Sequence, residues 1–466
     1  MIKNNQYISA YRKSNLLYGT IVRSTISSGT VAGIEIPNFP ESIVVISGKQ
    51  TPGSNSVRII RQTMPLFAGE QILYRGQPVL AVFAPTREES IAAAGSIEIT
   101  YDTSAVDSSP EDIEESPQIE AAENGVPERE SVRPGPPPFP DAVESAVKTV
   151  SWGNPARLFE KASRIIEHTY NTGPEHSVTT SPTGAAAEYT DGNMVIYAAS
   201  QWPFHVRNTV SDVCGLPKRK VVVHQVEFHP THDEKLIHPS MYGAMCALAA
   251  MATGKPARII DTEPSYRAPM VIRRSTALNA DGEPSAEQVE IAVDTGAFSL
   301  FGEEMIKQIL TGAVPMYDLQ GIKITVRLYN TPTPPRHHFR GLGFSTAIFS
   351  TEAHISALAR DIQVNPLSWR LKHLKAAESR PTAQIEIRYE LLKNLLEDVA
   401  DRADFYRKYA VYEMQRVRQQ NFSPFYRYAR GIGIASGYGI NGFSRSFSED
   451  RKHSLTVSLE ENNMVT

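Results

Sequence analysis

The feature that most constrains this chain is the run Asn330-Thr331-Pro332-Thr333-Pro334-Pro335-Arg336-His337-His338-Phe339-Arg340-Gly341-Leu342-Gly343. Its prolines fix φ and withhold backbone donors, so the approach is turn-rich rather than helical. Gly341 and Gly343 let the backbone come close to a bulky ligand and present its N–H groups. A helix is expected at once, through Glu352, Leu358-Ala359-Arg360 and Asn365-Pro366-Leu367-Ser368-Trp369-Arg370.

At 466 residues, with 41% hydrophobic and 21% charged side chains, the chain can bury more than one domain's core. A net charge of −4 gives no electrostatic reason to expect nucleic acid. Cys214 and Cys246 are the only cysteines, and they show no metal-ligand spacing. A disulfide framework, a zinc ribbon and an iron–sulfur cluster are therefore not expected within the chain. The polar start Met1-Ile2-Lys3-Asn4-Asn5-Gln6 lacks a signal peptide's apolar stretch, and no run is long enough to span a membrane. A cytoplasmic, reducing location is expected.

Strand and helix patterns alternate, so the fold class is mixed, α+β. A first unit, residues 1–104, carries β-rich runs at Leu17–Ser24, Ser42–Ser47 and Gln71–Ala84, a short helix at Arg87–Ala94 and a strand at Ser96–Tyr101. Residues 105–149 are acidic and then proline-rich, which predicts an extended connector. A second unit, residues 150–466, predicts helices at Pro155–Ala162, Val206–Val213 and His238–Thr253, the last ending at Gly254. Strands are expected at Ala185–Tyr189, Met194–Ala199, Lys220–Val223, from Arg430, and at Ser454–Glu460. His229, His232 and His238 have a spacing that tempts a metal reading, but Pro230 breaks the pair and no metal site is assigned.

The motifs Tyr74-x-Gly76-Gln77-Pro78, Ala199-Ser200-Gln201, Asp294-Thr295-Gly296-Ala297-Phe298 and Arg340-Gly341-Leu342-Gly343, in this order, resemble the molybdopterin-binding large subunit of the xanthine dehydrogenase and aldehyde oxidase family. The resemblance spans nearly the whole chain. It implies an α/β hammerhead domain followed by the first molybdopterin-binding domain, with the start of a second at the C-terminus. It also implies cofactor contacts at Gln201, Arg340 and Gly341. A neutral amide such as Gln201 can polarise a cofactor oxygen without adding charge or exchanging protons. Residues 350–375 resemble the helix behind the Arg340 loop, with Glu352, Ala359 and Arg370 as anchors.

The chain also departs from the family. Where relatives carry a glycine-rich loop, it reads Phe228-His229-Pro230-Thr231-His232-Asp233-Glu234-Lys235, and only the lysine matches. Ungapped counting puts Gln308 where purine-oxidising relatives have a substrate-positioning arginine. Leu236 falls at the position of their purine-pairing carboxylate. Leu342 occupies a place often held by a ring-stacking phenylalanine. These substitutions disfavour xanthine and leave another heterocycle or an aldehyde as the substrate class, with Gln308 and Leu342 as substrate contacts. The family's Gly-Gln-Gly loop and general-base glutamate are not found before Thr466. The resemblance thus implies a molybdenum–molybdopterin cofactor shared with a second molybdopterin-domain subunit. Iron–sulfur and FAD subunits would carry the electrons, with no FAD or iron–sulfur cluster in this chain, and no nucleic-acid or membrane partner is implied. The alternative is a scaffold subunit that kept the fold and lost the cofactor.

Overall fold

A computed structural model describes residues 7–103, 137–176, 178, 181–229, 233–262, 265–336, 340–374, 389–422 and 430–439. The N-terminal part contains β1 (Leu17–Arg23), β2 (Gly29–Glu35), β3 (Val44–Ser47), β4 (Ser56–Ile59), β5 (Gln62–Pro65) and β6 (Gln71–Ile72). The fully buried β7 (Pro78–Ala84), helix α1 (Arg87–Gly95) and β8 (Glu98–Asp102) complete it. A capping box starts α1: Glu89 N–H donates to the Thr86 hydroxyl, and the Glu89 carboxylate accepts from Thr86 N–H.

The remainder opens with β9 (Val143–Trp152), α2 (Pro155–Glu160), β10 (Arg164–Thr172), β11 (Thr183–Thr190) and β12 (Asn193–Ala198). Next come α3 (Pro203–Cys214), β13 (Val221–Gln225), α4 (His238–Thr253), β14 (Ala257–Asp261), β15 (Met270–Leu278) and β16 (Pro284–Asp294). Then follow α5 (Gly302–Ala313), β17 (Gly321–Asn330), α6 (Phe344–Asp361), α7 (Pro366–His373), α8 (Tyr389–Ala403) and α9 (Phe405–Phe422). None of the described helices is long and apolar enough to cross a membrane.

A seven-stranded sheet in the order β13-β12-β11-β14-β1-β7-β3 crosses between the two parts. At the junction β1 runs parallel to β14, with Leu17 opposite Ala257 and Gly19 opposite Ile259. Leu17, Phe83, Ala185, Ile196, Val210, Met245 and Ile259 lie in one apolar cluster, so both parts share a core. The second large sheet, β10-β15-β16-β17-β9, packs α5 and α6 on a separate cluster that includes Met270, Ile291, Ile309, Ile324 and Ala347.

Several sequence expectations change here. Strand β9 opens at Val143, inside the span 105–149 read as a connector. Its half-buried Ala146 and Val150 face the second core, but the prolines just before it mask that alternation. The single helix expected over 350–375 is two. Gln363 turns left-handed at φ 58°, and the Asn365 side chain then caps Leu367 and Ser368 N–H at 2.9 and 3.2 Å, with Pro366 opening α7. Residues 430–439 take up no regular secondary structure and pair with no strand among the described residues. Ile432 and Ile434 instead pack on Leu367, Leu396, Ala400 and Phe405. The strand expected at Ser454–Glu460 lies outside the described residues.

Candidate functional site

Gln201 stands three residues past β12, and its main chain is held from several sides. Its N–H donates to the Lys235 carbonyl at 2.8 Å. The preceding carbonyl, of Ser200, accepts from Gln225 Nε2 at 2.7 Å, and the following N–H, of Trp202, donates to Ser200 Oγ at 2.9 Å. Gln201 is itself exposed, so its amide is carried at the surface of a fixed backbone. Behind it, Trp202 stacks on His205 with ring centroids 4.3 Å apart. His205 Nε2 meets the Arg58 carbonyl at 2.9 Å, which fixes that nitrogen as the donor and leaves Nδ1 to accept from Ser240 Oγ at 2.7 Å. Burial lowers the pKa of this imidazole, in keeping with its neutral tautomer.

Where relatives have a glycine-rich loop, residues 230–232 lie outside the described residues, and side chains hold the residues on either side of them. His229 N–H donates to Ser181 Oγ at 3.2 Å, and Ser265 Oγ donates to the buried Glu234 Oε2 at 3.2 Å. Lys235 is fully buried and donates to the Ser181 carbonyl at 2.8 Å and Thr183 Oγ1 at 2.5 Å. Burial lowers its ammonium to about 8, partly offset by Glu234.

Arg340, Gly341, Leu342 and Gly343 have φ of 53°, 76°, 45° and 86°. Four successive left-handed residues cost the two non-glycines roughly 1–2 kcal/mol each. Such strain persists only where the surroundings enforce it. Here the approach is clamped by the turn after β16. The Asp294 carboxylate accepts from Thr331 Oγ1 at 2.6 Å and Gly296 N–H at 2.9 Å, and it pairs with Arg336. Ala297 N–H donates to the Thr333 carbonyl, and Arg336 N–H to that of Thr295. On the far side, a Cβ on Gly343 would meet Ile309 and Met270 at 2.6 Å, so the turn is pressed onto α5. Arg340 and Gly341 are exposed, while Leu342 is half-buried against the second core.

Gln308 lies on α5 beside Ile309, and its Nε2 donates to Glu304 Oε1 at 2.7 Å. The Arg340 turn, Leu342 and α5 therefore form one corner, while Gln201 lies on the chain leaving β12 of the seven-stranded sheet. The segment after Asp294 links the two: Ala297, Phe298 and Leu300 enter the first core, and Phe298 meets Tyr74 edge-on at 6.4 Å. That contact brings the Tyr74-x-Gly76-Gln77-Pro78 motif to the same region. There Gln77 Oε1 accepts from Leu73 N–H at 2.8 Å.

Helix α6, which starts at the Arg340 turn, is fastened along its length by groups that sequence reading missed. Buried Arg274 pairs with Glu287 at 2.8 Å and reaches Ser350 Oγ and the Ala313 carbonyl. His354 Nε2 contacts Thr276 Oγ1 at 2.8 Å, and its Nδ1 lies 3.1 Å from His168 Nδ1. His168 Nε2 is 3.2 Å from Asp361. No local signal pairs these residues, which meet only across the sheet. The Asp294–Arg336 clamp had a partial signal, since both residues sit in motifs that stand out in the sequence.

The amide of Gln201 and the backbone N–H groups of the left-handed turn are each the kind of donor that suits a polar, oxygen-rich anionic group. The molybdopterin cofactor-binding domain family matches residues 139–374, about half of the chain, and the a/b hammerhead domain of aldehyde oxidase and xanthine dehydrogenase matches residues 4–105. Rat aldehyde oxidase 4 is 25% identical over 409 residues, which are 85% of this chain and 29% of that protein. The nicotinate dehydrogenase large molybdopterin subunit of Eubacterium barkeri is 23% identical, covering 78% of this chain and 84% of that subunit. Among solved structures, reconstituted CO dehydrogenase from Oligotropha carboxidovorans superposes with a TM-score of 0.73 at 16% identity, covering 89% of this chain and 54% of that one. Quinoline 2-oxidoreductase from Pseudomonas putida 86 gives 0.69 at 19% identity, covering 88% and 54%. The chain thus spans under a third of the aldehyde oxidase and about half of the structural relatives. It belongs to the xanthine dehydrogenase and aldehyde oxidase family of molybdenum hydroxylases.

Proposed function

We propose that this chain is a molybdopterin-binding subunit that supplies one wall of a cofactor site completed by a second molybdopterin-domain polypeptide. In this reading the Gln201 amide and the backbone of Arg340 and Gly341 face the cofactor, and Gln308 and Leu342 face the substrate. The supporting observation is coverage: the match takes in most of a nicotinate dehydrogenase large molybdopterin subunit but about half of a CO dehydrogenase chain. The residues fit the group at two places, the exposed Gln201 and the exposed left-handed turn. When bound, the cofactor would supply two-electron oxidation of a heterocycle or aldehyde C–H, with oxygen from water. The protein's own part is binding and orientation. Gln201 offers a neutral donor that polarises without exchanging a proton, and the turn offers N–H groups already paid for in backbone strain. Leu342 gives an apolar surface, and Gln308 a polar one, for orienting a flat substrate. The general base and most pterin contacts fall to the second polypeptide, and iron–sulfur and FAD subunits carry the electrons away.

The test is co-expression with the genes beside its own, purification of the assembled complex, and measurement of molybdenum and pterin. Near-stoichiometric molybdenum supports the shared site. A second reading, a scaffold without cofactor, is favoured by the missing glycines of Phe228–Lys235 and by Ser181 and Ser265, which fasten His229 and Glu234 there. A stable complex free of molybdenum and pterin would select it.

A further inference from the structure

Lys235 lies in a segment that otherwise lost its resemblance to the family, yet it is among the best-anchored residues in the region. It is completely buried, and no salt bridge of its ammonium to a carboxylate is seen among the described residues. Burying a lone cation is costly unless neutral acceptors hold it. Two do: the Ser181 carbonyl at 2.8 Å and Thr183 Oγ1 at 2.5 Å, both at the entry to β11. The same residue's carbonyl takes the Gln201 N–H at 2.8 Å. One residue therefore joins the entry of β11 to the chain leaving β12, the adjacent antiparallel strand. Its carbonyl sits on a single 3₁₀ turn, Asp233–Lys235, which has little rigidity of its own.

We propose that Lys235 is a positioning residue for Gln201: its ammonium pins the 233–235 turn to the start of β11, and its carbonyl thereby fixes the backbone that presents the Gln201 amide. The functional weight of this rests on the reading of Gln201 given above, while the mechanical link does not. Amide hydrogen exchange at Gln201 tests the link on the purified full-length chain, alone or in its complex. Lys235→Met is expected to raise exchange at Gln201 at least tenfold, with β12 residues Ile196–Ala198 within twofold of the parent. Lys235→Arg, which keeps the charge and donors, is expected to restore most of the protection. Thr183→Val removes one acceptor and should raise Gln201 exchange severalfold; it decides the matter should Lys235→Met not fold. Unchanged exchange at Gln201 in Thr183→Val and in any folded Lys235→Met, or a rise spread evenly over β12, would overturn the proposal. Molybdenum content of the same variants is a separate readout. Faster exchange in a complex that never holds molybdenum keeps the clamp and rejects the cofactor role of Gln201.

Discussion

Two histidine nitrogens 3.1 Å apart can share only one proton between them, and His168 and His354 are placed in this way. Burial, then the charges of Arg274 and His168, push the His354 pKa down to about 2. The sign follows from linkage. The unfolded chain protonates His354 below its ordinary 6.5, while the folded chain resists, so the unfolded state binds more protons and acid favours it. Stability is present above about pH 6.5 and drains away as pH falls toward 2, by at most ~1.4 kcal/mol per pH unit from this residue. Calorimetry between pH 7 and pH 5 should show a falling Tm, with a shallower slope in His354→Gln. The nearby Arg274–Glu287 pair makes a second residue-scale prediction. Glu287→Ala strands a buried guanidinium and should cost about 3–5 kcal/mol, whereas Arg274→Met with Glu287→Leu should cost much less. Denaturant titration of the single and double variants distinguishes the two outcomes.

At the scale of elements, the turn that opens α6 is the most demanding piece of backbone. Gly343→Ala would place a methyl group 2.6 Å from Ile309 and Met270 at φ 86°. Left-handed strain plus overpacking predicts a loss of about 2–4 kcal/mol. Gly431→Ala meets nothing within 4 Å and should stay within about 0.5 kcal/mol. The segment 430–439 is held at Tyr438, which meets Phe344 of α6 edge-on and donates to the Thr311 carbonyl at 2.6 Å, and at Ser436 by an α6 carboxylate. Glu352 accepts from Arg370 Nε at 2.9 Å, Ser436 N–H at 2.8 Å and the Tyr317 hydroxyl at 2.9 Å. Glu352→Ala should release that segment, seen as faster tryptic cleavage after Arg430 than in the parent. An unchanged cleavage rate would show that the contacts of Ile432, Ile434 and Tyr438 suffice. Glu352 and Arg370 stand out in the sequence as anchors, but what they anchor does not. The same limit explains the other differences. Helix α4 was readable because its apolar run is continuous and ends at Gly254, which adopts φ 65°. The chain after Arg430 reads as a strand because alternation is local, while a partner strand is not. Helices α8 and α9 escaped notice, their apolar positions diluted by many charges. At the site, motif residues were visible, but the Lys235–Gln201 contact joins positions far apart in sequence and had no local trace.

For the molecule as a whole, the seven-stranded sheet decides what can be separated. A fragment ending at residue 104 would carry away β1, β7 and β3, and a fragment starting at residue 139 would keep β14 with its β1-facing side bare. Both would expose unpaired, flat strand edges beside apolar residues such as Leu17 and Ile259, the kind of surface that templates aggregation. Expressed apart, the two matched regions should be insoluble or associate with each other. Mixing them and measuring recovery of a monodisperse 1:1 species checks this. The hammerhead and cofactor-binding regions are thus heritable only as a pair: gene fusion or fission could fall elsewhere in the chain, but a cut between these two would have to be mended by strand pairing in every new molecule.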